Sequence, residues 1–318
     1  MSKESVVRKP LLAALALLLT ACGTVGAEPE PATGGGALNV NLSPQQNRVT
    51  AAEDDKIASK VPEKFRTKGE LVIGGSAGTA PPLRFYATDD KTVIGVETDI
   101  ASLVADTLGL KPRLEVSSWE NLFVGLDSGS FDLGLSNITV TEARKEKYDF
   151  ATYRLDTLAF EAKKGGGWRV KEPKDVAGKV IAVTSGTNQE KILVDWSTKN
   201  VAAGLQATDI KYFQNSSDYY LALQSGRIDA YLGPNPTSAY HAATSGQTEV
   251  IGNFSGGASV QGKIAVTTKK DNGLIAPVQE ALNQLIANGK YAEVLKRWGL
   301  SDEAVPTSEI NPVGLPKT

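Results

Sequence analysis

A ten-residue pattern that occurs twice is the feature of this sequence that most restricts its fold. Residues 126–135 read LDSGSFDLGL, and residues 223–232 read LQSGRIDAYL. Each copy reads as a helix end, a Ser-Gly turn, and an apolar residue with an aspartate that leads into a strand. We interpret the two copies as equivalent parts of two similar lobes.

Strand and helix patterns alternate through both halves of the chain. Short apolar runs predict strands at residues 71–73, 114–116, 131–135, 180–183, 210–213, 228–232 and 263–267. Apolar residues at helical spacing predict helices at residues 98–108, 120–126, 188–198, 218–224 and 273–289. Such alternation with short connections is typical of α/β architecture with a largely parallel sheet. The polar, proline-containing tail after Leu300 is expected to be irregular.

The carboxyl edges of the predicted parallel strands are the expected place for a ligand, as in other open α/β sheets. The chain leaves the repeated strand near Asn137 in the first copy and near Pro234 in the second. If the two lobes face each other, these equivalent positions lie on opposite walls of one cleft.

The stretch from residue 136 to residue 150, SNITVTEARKEKYDF, follows the first copy of the repeat. Thr141 is suited to cap a helix, and Arg144 falls in the first turn of that predicted helix. The free N–H groups of a helix start and the planar donors of an arginine both suit a carboxylate. The local pattern alone also fits a capped surface helix with a solvated arginine.

Composition excludes several kinds of function. The chain has 34 Lys and Arg against 36 Asp and Glu, a formal charge of −2, which argues against a nucleic-acid partner. One histidine and one cysteine cannot build a zinc site or a disulfide framework, and we predict neither a metal nor a cofactor. The sequence has no phosphate-binding loop of the Walker type, so an ATPase is not expected.

The N-terminus reads as a processing segment. A basic start and an apolar run at residues 11–19 are typical of a signal peptide, which we place at residues 1–21. Residues 19–22, LTAC, resemble the lipobox of bacterial lipoproteins, which carry lipid on the cysteine, here Cys22. A plain secretory signal with an unrelated cysteine is the alternative. Residues 22–60 are predicted to form a flexible tether, which would hold the folded body near the membrane surface outside the cytoplasm.

Several motifs in a fixed order resemble those of the solute-binding proteins of polar amino-acid ABC importers, such as the glutamine- and histidine-binding proteins. The motifs are GVETDI at residues 95–100, NITVTEAR at 137–144, DF at 149–150, SGT at 185–187, GKY at 289–291 and KRW at 296–298. The resemblance covers residues 68–300, nearly the whole of the predicted folded body.

This resemblance implies a type II periplasmic-binding-protein fold, in which two α/β lobes are joined by a two-strand hinge and close on one small ligand. The first lobe would contain residues 61–158 and 261–318, and the second lobe residues 159–260. It also implies that the ligand is delivered to a membrane permease. We expect the protein to be a monomer.

The resemblance further implies roles for individual residues. Arg144 would bind the ligand carboxylate, helped by the backbone N–H and the hydroxyl of Thr139. Trp119 would form an aromatic wall, and Asn137 would accept a polar ligand group through its carbonyl oxygen. The other implied ligand residues are Ser76, Thr184 and Asn188. The local pattern also allows a structural role for three of these residues. Trp119 could pack in the core, Asn188 could cap a helix, and Thr184 could end a strand.

The cation side of the site departs from the family pattern. Members of the family usually hold the ligand ammonium with an acidic residue where this chain has Pro234, between the candidate ligand residues Gly233 and Asn235. An unpaired buried ammonium is costly. Either neutral carbonyls, Asn235 or an acid from elsewhere holds the amine, or the ligand lacks a free primary α-amine. In the second case, Trp119 and Tyr231 could face a substituted cation.

The sequence therefore predicts the binding component of an ABC importer for an amino acid or an amino-acid-derived carboxylate. The alternative is an enzyme on the same fold, of the cyclohexadienyl or prephenate dehydratase type or of the peptidoglycan lyase type. Such an enzyme needs a positioned acid or base in the cleft. No carboxylate pair stands out among the matched positions, and the single histidine, His241, reads as a structural residue. We therefore expect no enzymatic activity.

Overall fold

The computed structural model describes residues 40–77 and 81–317. The predicted signal peptide, Cys22 and the first part of the predicted tether lie outside these residues. The helices are α1 (Asp55–Ala58), α2 (Glu63–Lys68), α3 (Val96–Thr107), α4 (Trp119–Ser128), α5 (Asn188–Ala202), α6 (Ser216–Gln224), α7 (Asn235–Ser245), α8 (Ile275–Ala287) and α9 (Lys290–Arg297).

The strands are β1 (Glu70–Gly75), β2 (Phe85–Tyr86), β3 (Val93–Ile94), β4 (Lys111–Val116), β5 (Leu133–Gly134), β6 (Tyr148–Leu155), β7 (Thr157–Lys163), β8 (Val180–Val183), β9 (Asp209–Tyr212), β10 (Ala230–Pro234), β11 (Thr248–Ser255) and β12 (Lys263–Lys269). They form two five-stranded sheets, in the orders β4-β1-β5-β12-β6 and β11-β7-β10-β8-β9, and one small β2–β3 pair.

Each large sheet is mixed rather than largely parallel as predicted. In the first sheet β1 pairs in parallel with β4 and β5, and in the second β8 pairs in parallel with β9 and β10. The other pairings are antiparallel. The antiparallel strands β6, β7, β11 and β12 are those that carry the chain from one sheet to the other.

The sequence repeat corresponds to equivalent parts of the two sheets. β5 and β10 each occupy the central place of a sheet, and each follows a helix and a Ser-Gly turn. The glycines of these turns, Gly129 and Gly226, have φ angles of 77° and 75°, a region that glycine adopts without strain. The prediction of two similar lobes is confirmed, and the repeat marks their central strands.

The chain crosses between the sheets at two neighbouring places. After β6 it passes through Asp156 into β7, and after β11 it returns through residues 256–262 into β12. The crossings are hydrogen-bonded to each other: the Asp156 N–H donates to the Gly262 carbonyl at 2.8 Å, and the Gly256 N–H donates to the Asp156 carbonyl at 2.9 Å. These two segments form the hinge.

Each sheet has its own apolar core. The core of the first sheet joins β1, α3, α8 and α9, and its largest fully buried side chain is Trp298. The Trp298 indole N–H donates to Asp99 at 2.8 Å, so its polar atom is satisfied inside the core. In the second core, Phe160 packs with Trp196 and Phe254 at ring-centroid distances of 5.9 and 5.8 Å.

The first described segment packs against the core of the first sheet. Val40, Leu42 and Val49 contact that core, and Arg48 pairs with Asp99 at 3.2 Å. The predicted flexible tether therefore differs from the structure from residue 40 onward. The apolar side chains of this segment are too sparse to show a periodic pattern in the sequence, but they pack against the first lobe.

The C-terminal tail is irregular, as expected, but it does not stay with the first lobe. It follows β6, where the Thr152 N–H donates to the Glu309 carbonyl and the Asn311 N–H donates to the Phe150 carbonyl, each at 3.1 Å. Leu315 then packs, 3% exposed, in the core of the second sheet. The tail thus runs beside the hinge and contacts both cores.

Candidate functional site

A pocket lies between the two sheets, at the ends of their central strands. Its lining residues are Ser76, Trp119, Ser136, Asn137, Thr184, Thr187, Asn188, Gln189, Gln214, Tyr231, Leu232 and Pro234. The first four come from the first lobe and the others from the second. The predicted facing of Asn137 and Pro234 across one cleft is confirmed, because both positions line this pocket.

Five of the nine predicted ligand residues line the pocket, and their places in the fold explain why. Ser76 follows β1 and Asn137 lies just after β5, while Thr184 follows β8. Trp119 and Asn188 each open a helix, α4 and α5. All five therefore lie where strands end or helices begin at the edge that parallel strands present to a ligand.

Arg144 lies beside the pocket and connects the two lobes. Its guanidinium donates to the carbonyl of Thr139 at 2.9 Å and to the carbonyl of Gly186 at 3.1 Å. It also stacks over the rings of Trp119 and Phe123, at 5.2 and 5.3 Å from their centroids. Burial lowers its pKa to about 10, still far above neutrality. The interpretation as a solvated surface arginine is therefore wrong.

The helix predicted around Arg144 is wrong, although its cap is present. The segment forms only a 3-10 turn, Arg144–Glu146, because β6 begins at Tyr148 and its apolar side chains are buried in the sheet. The Thr141 hydroxyl accepts from the Arg144 N–H at 3.1 Å, as the capping pattern predicted. The guanidinium, rather than a helix start, is therefore the group here that suits an anion.

Thr139 and Asn188 share a partner that the sequence did not indicate. The Thr139 hydroxyl donates to Asp156 Oδ2 at 2.7 Å, and the Asn188 side-chain amide donates to the same oxygen at 2.9 Å. Asn188 also donates to the Gly256 carbonyl at 3.0 Å. Thr139 is fully buried and does not line the pocket, so its hydroxyl, expected to assist the ligand, serves the hinge instead.

Gly233 and Asn235 do not line the pocket, whereas Pro234 between them does. Gly233 is inside β10, and a Cβ there would collide with the ring of Tyr231. Asn235 opens α7. None of the described residues that line the pocket is an aspartate or a glutamate, so the absence of the usual acid at Pro234 is not compensated on the pocket wall.

Gln189 is the most informative lining residue that sequence reasoning missed. It is 6% exposed, and its Oε1 is buried without a hydrogen-bond partner among the described residues. An unsatisfied buried carbonyl oxygen costs about 1–3 kcal/mol unless a donor reaches it. Its place directly after Asn188, in the first turn of α5, is the signal that could have identified it.

Aromatic rings form two walls of the pocket. Trp119 packs edge-on against Phe123, with centroids 5.1 Å apart, so both readings of this residue, pocket wall and core packing, describe it. On the opposite side Tyr231 stacks on Tyr219, with centroids 3.7 Å apart.

Gln214 reaches across the mouth of the cleft and donates to Glu120 at 2.9 Å.

Comparison with known proteins decides the family. A family model for bacterial extracellular solute-binding proteins, family 3, matches residues 72–301. The chain belongs to this family. The match runs from β1 to the turn after α9, so it includes both sheets and the pocket. It leaves out the first described segment and the C-terminal tail.

Curated relatives of the family 3 chain extend over most of its length. The L-cystine-binding protein TcyJ of Escherichia coli (strain K12) is 29% identical over 252 residues, which cover 79% of this chain and 88% of the relative. The arginine-binding protein ArgT of Corynebacterium glutamicum is 26% identical over 258 residues, which cover 80% of this chain and 83% of the relative.

Solved structures confirm the predicted fold of this family 3 protein. An ancestral arginine-binding protein bound to arginine has 26% identity and a TM-score of 0.63, covering 72% of this chain and 98% of that one. The substrate-binding protein AbpA of Streptococcus pneumoniae, bound to L-arginine, has 22% identity and a TM-score of 0.65, covering 76% and 100%. The fold is the two-lobed, type II periplasmic-binding-protein fold.

The described residues contain neither a membrane-spanning helix nor a cluster of metal ligands. Between residues 40 and 317, apart from 78–80, no helix is long and apolar enough to cross a bilayer. In the same part of the chain, no group of three or more His, Cys, Asp or Glu side chains is placed to hold a metal ion.

Proposed function

We propose that this protein is the substrate-binding component of an ABC importer and that it delivers an amino acid, or a carboxylate derived from one, to a membrane permease. The observation that carries the proposal is a polar and aromatic pocket between two hinged lobes, with the Arg144 guanidinium at its side. Relatives that match over most of the chain are amino-acid-binding proteins by name. They favour a binding protein over an enzyme.

The carboxylate of the ligand belongs beside Arg144. Among the described residues, the carbonyls of Thr139 and Gly186 use two of the five N–H donors of its guanidinium, so a pair remains for a bidentate anion. The N–H groups that open α5, at Asn188 and Gln189, lie on the pocket wall and lack partners within the helix. Because these donors come from both lobes, a bound carboxylate stabilises the closed arrangement.

Neutral oxygens hold the amine. Gln189 lies on the pocket wall, and its Oε1, which has no partner among the described residues, can accept a hydrogen bond from an ammonium. The carbonyl of Asn137, predicted as an acceptor, is on the opposite wall, and the rings of Trp119 and Tyr231 offer their faces to a cation. This arrangement favours the first of the two alternatives for Pro234: an amino acid whose amine is held without a carboxylate.

Replacing Gln189 with methionine, which is similar in shape, is expected to weaken binding of free α-amino acids by roughly tenfold or more, since a hydrogen bond to a charged group contributes about 1.5–3 kcal/mol. Calorimetry of the purified mature protein against amino acids, N-substituted amino acids, opines and betaines measures this. The matched control is Gln247→Met, on the exposed turn before β11. Equal losses for amine-free carboxylates and amino acids would contradict the assignment of Gln189.

The lipid anchor and the lobe boundaries belong to the same proposal. We place the lobes at residues 61–158 with 261–318 and at residues 159–260; the crossings at Asp156 and at residues 256–262 support the two inner boundaries, whereas the end of the tail, at Leu315, packs on the second lobe. The protein would act as a monomer outside the cytoplasm. Acyl chains on Cys22 would attach it to the membrane surface.

Replacing Cys22 with serine is expected to move the protein from the membrane fraction to the soluble fraction, because the variant cannot carry the thioether-linked lipid. Fractionation of cells that express either form, followed by mass spectrometry of the mature N-terminus, measures both position and lipid. Recovery of the wild-type protein without lipid, cleaved elsewhere, would support the plain secretory signal.

A further inference from the structure

The Asp156 carboxyl group lies where the chain crosses between the lobes. Its backbone is held on both sides by the second crossing, through hydrogen bonds with Gly256 and Gly262. The residue is 1% exposed. It is therefore an ionisable group at the pivot of the hinge, a place where apolar or small residues would meet the packing requirement at a lower cost in desolvation.

This carboxyl group is shared by the two lobes. One oxygen, Oδ2, accepts from the Thr139 hydroxyl of the first lobe at 2.7 Å and from the Asn188 amide of the second lobe at 2.9 Å. The Thr139 carbonyl also accepts a hydrogen bond from the Arg144 guanidinium, and Asn188 lines the ligand pocket. Asp156 thus holds a residue on each side of the predicted carboxylate position.

The surroundings leave the carboxyl group little freedom. A Cβ on Gly256 would collide with the carboxyl oxygens, and a Cβ on Gly262 would lie 3.1 Å from the Cβ of Asp156. Gly256 is thus needed for the second crossing to pack against the side chain, and at Gly262 a Cβ would also collide with the backbone of residues 256 and 257. With such close packing, water cannot solvate a charge here, and the hydrogen-bond donors must come from the protein.

The charged groups that face Asp156 do not neutralise it. Arg154 forms ion pairs with Glu303 and, at 3.4 Å, with Glu97. Glu303 also places a negative charge near Asp156. Arg144 is the other cation nearby. Burial raises the pKa of Asp156 to about 6, against the lowering effects of the Thr139 hydrogen bond and of Arg154.

We propose that Asp156 is a positioning residue of the ligand site, and that a carboxylate ligand binds together with one proton that Asp156 takes up from solvent. The inference rests on the proposed function, because it places the ligand carboxylate beside Arg144 and Asn188. The ligand then satisfies the charge of Arg144, a nearby cation that forms no ion pair with a carboxylate among the described residues. A second carboxylate nearby disfavours the charge of Asp156 further, and Arg144 can pair with only one of the two, so Asp156 is the one that becomes neutral.

Proton uptake makes ligand affinity depend on pH. Where Asp156 is ionised in the free protein, at neutral pH and above, affinity falls by up to about tenfold for each pH unit, since one proton must be bound with each ligand. Below pH 6 the proton is already present and the dependence ends. Transport would then be favoured in an acidic medium.

The first arm of the test needs no ligand. The pKa of Asp156 is about 6 in the folded protein and near 3.8 in the unfolded chain, so folding takes up a proton between these values. The free energy of unfolding of the wild type should therefore fall as pH rises from about 4 to 6. Asp156→Asn has no carboxyl group at this position and should not show this fall. The melting temperature of the variant minus that of the wild type should therefore increase between pH 4 and 6 and stay constant above pH 6. A difference that does not change with pH would overturn the assignment.

The second arm measures binding by calorimetry at pH 5.5 and 7.5, with L-arginine, L-glutamine and L-cystine as probes. For a probe that binds, wild-type affinity should fall at least tenfold at the higher pH, with proton uptake that appears as a dependence of the binding enthalpy on the buffer. Asp156→Asn should show neither effect. Asp209→Asn, an exposed residue on β9, serves as the matched control and should behave as the wild type.

A second variant separates proton linkage from a structural role. Thr139→Val removes a donor that stabilises the ionised carboxylate, so the pH midpoint of binding should move upward, whereas a purely structural defect would lower affinity equally at both pH values. Equal wild-type affinity at both pH values would overturn the proposal. Failure of all three probes to bind would count against the proposed function, and the first arm would still decide whether Asp156 titrates as stated.

Discussion

Replacing Arg144 with alanine is expected to weaken binding of an α-amino acid by about 30-fold or more, as calorimetry would measure. Loss of one partner of a buried charge pair typically costs about 2 kcal/mol or more. The variant also loses the two hydrogen bonds by which the guanidinium joins the carbonyls of Thr139 and Gly186 across the cleft. Arg144→Lys should lie close to alanine, because an ammonium keeps the charge but cannot present two parallel donors.

The matched control for Arg144 is Arg113→Ala. Arg113 is an exposed arginine on β4 that pairs with Glu70 at 3.2 Å on the surface. It should leave both affinity and stability almost unchanged, because exposed ion pairs contribute little. If Arg144→Ala bound the amino acid as tightly as Arg113→Ala does, the carboxylate assignment would be wrong.

The variant with the largest expected loss of stability is Arg154→Met, at about 3–5 kcal/mol in the free energy of unfolding. Arg154 is 1% exposed and is the shared cation of Glu97 and Glu303, both of which are also buried. The two carboxylates raise its pKa above the usual value, despite the lowering effect of burial. Methionine fills much of the volume but removes the cation that pairs with both buried negative charges.

Denaturant unfolding measures the effect of Arg154→Met, with Arg169→Met as the control. Arg169 pairs with Glu249 at 2.8 Å but is about half exposed, so its loss should cost less than about 1 kcal/mol. Adding Glu97→Gln and Glu303→Gln to Arg154→Met should recover part of the stability, since the uncompensated charges are then removed. A triple variant less stable than Arg154→Met alone would show that packing, rather than charge, sets the cost.

The parts of the fold that sequence predicted are those with local signals. The two Ser-Gly turns identified the central strands β5 and β10, because a glycine with positive φ and a following apolar run are both visible in a short window. The hinge strands β6 and β7 were not predicted. They meet at Asp156 with no turn residue between them, and their pairing partners lie far away in the sequence.

The ends of the folded body were also beyond prediction. Val40, Leu42 and Leu315 are apolar residues in polar, proline-containing stretches, and nothing in a local window shows that a core exists for them to join. Leu315 lies at the end of the tail yet packs with the core of the second lobe. Such contacts depend on where the rest of the chain has folded.

The site was predicted as far as single positions allow. Trp119 and Asn188 open helices at the edge of a sheet, and the family pattern places them. The sequence did not indicate Asp156 and Gln189, because their roles depend on contacts between segments that are far apart in the sequence. The acceptor for the Thr139 hydroxyl lies in the hinge, and the Gln189 oxygen, which has no partner among the described residues, is recognised only once the pocket is built.

A crystal structure of the mature protein with the amino acid that binds most tightly in calorimetry tests the assignment of Arg144 and Gln189 most directly. The predicted result places the ligand carboxylate on the Arg144 guanidinium and the first N–H groups of α5, with the ammonium within hydrogen-bond distance of Gln189 Oε1. A ligand whose carboxylate lies away from Arg144, or whose ammonium is held by an aspartate or glutamate, would contradict it.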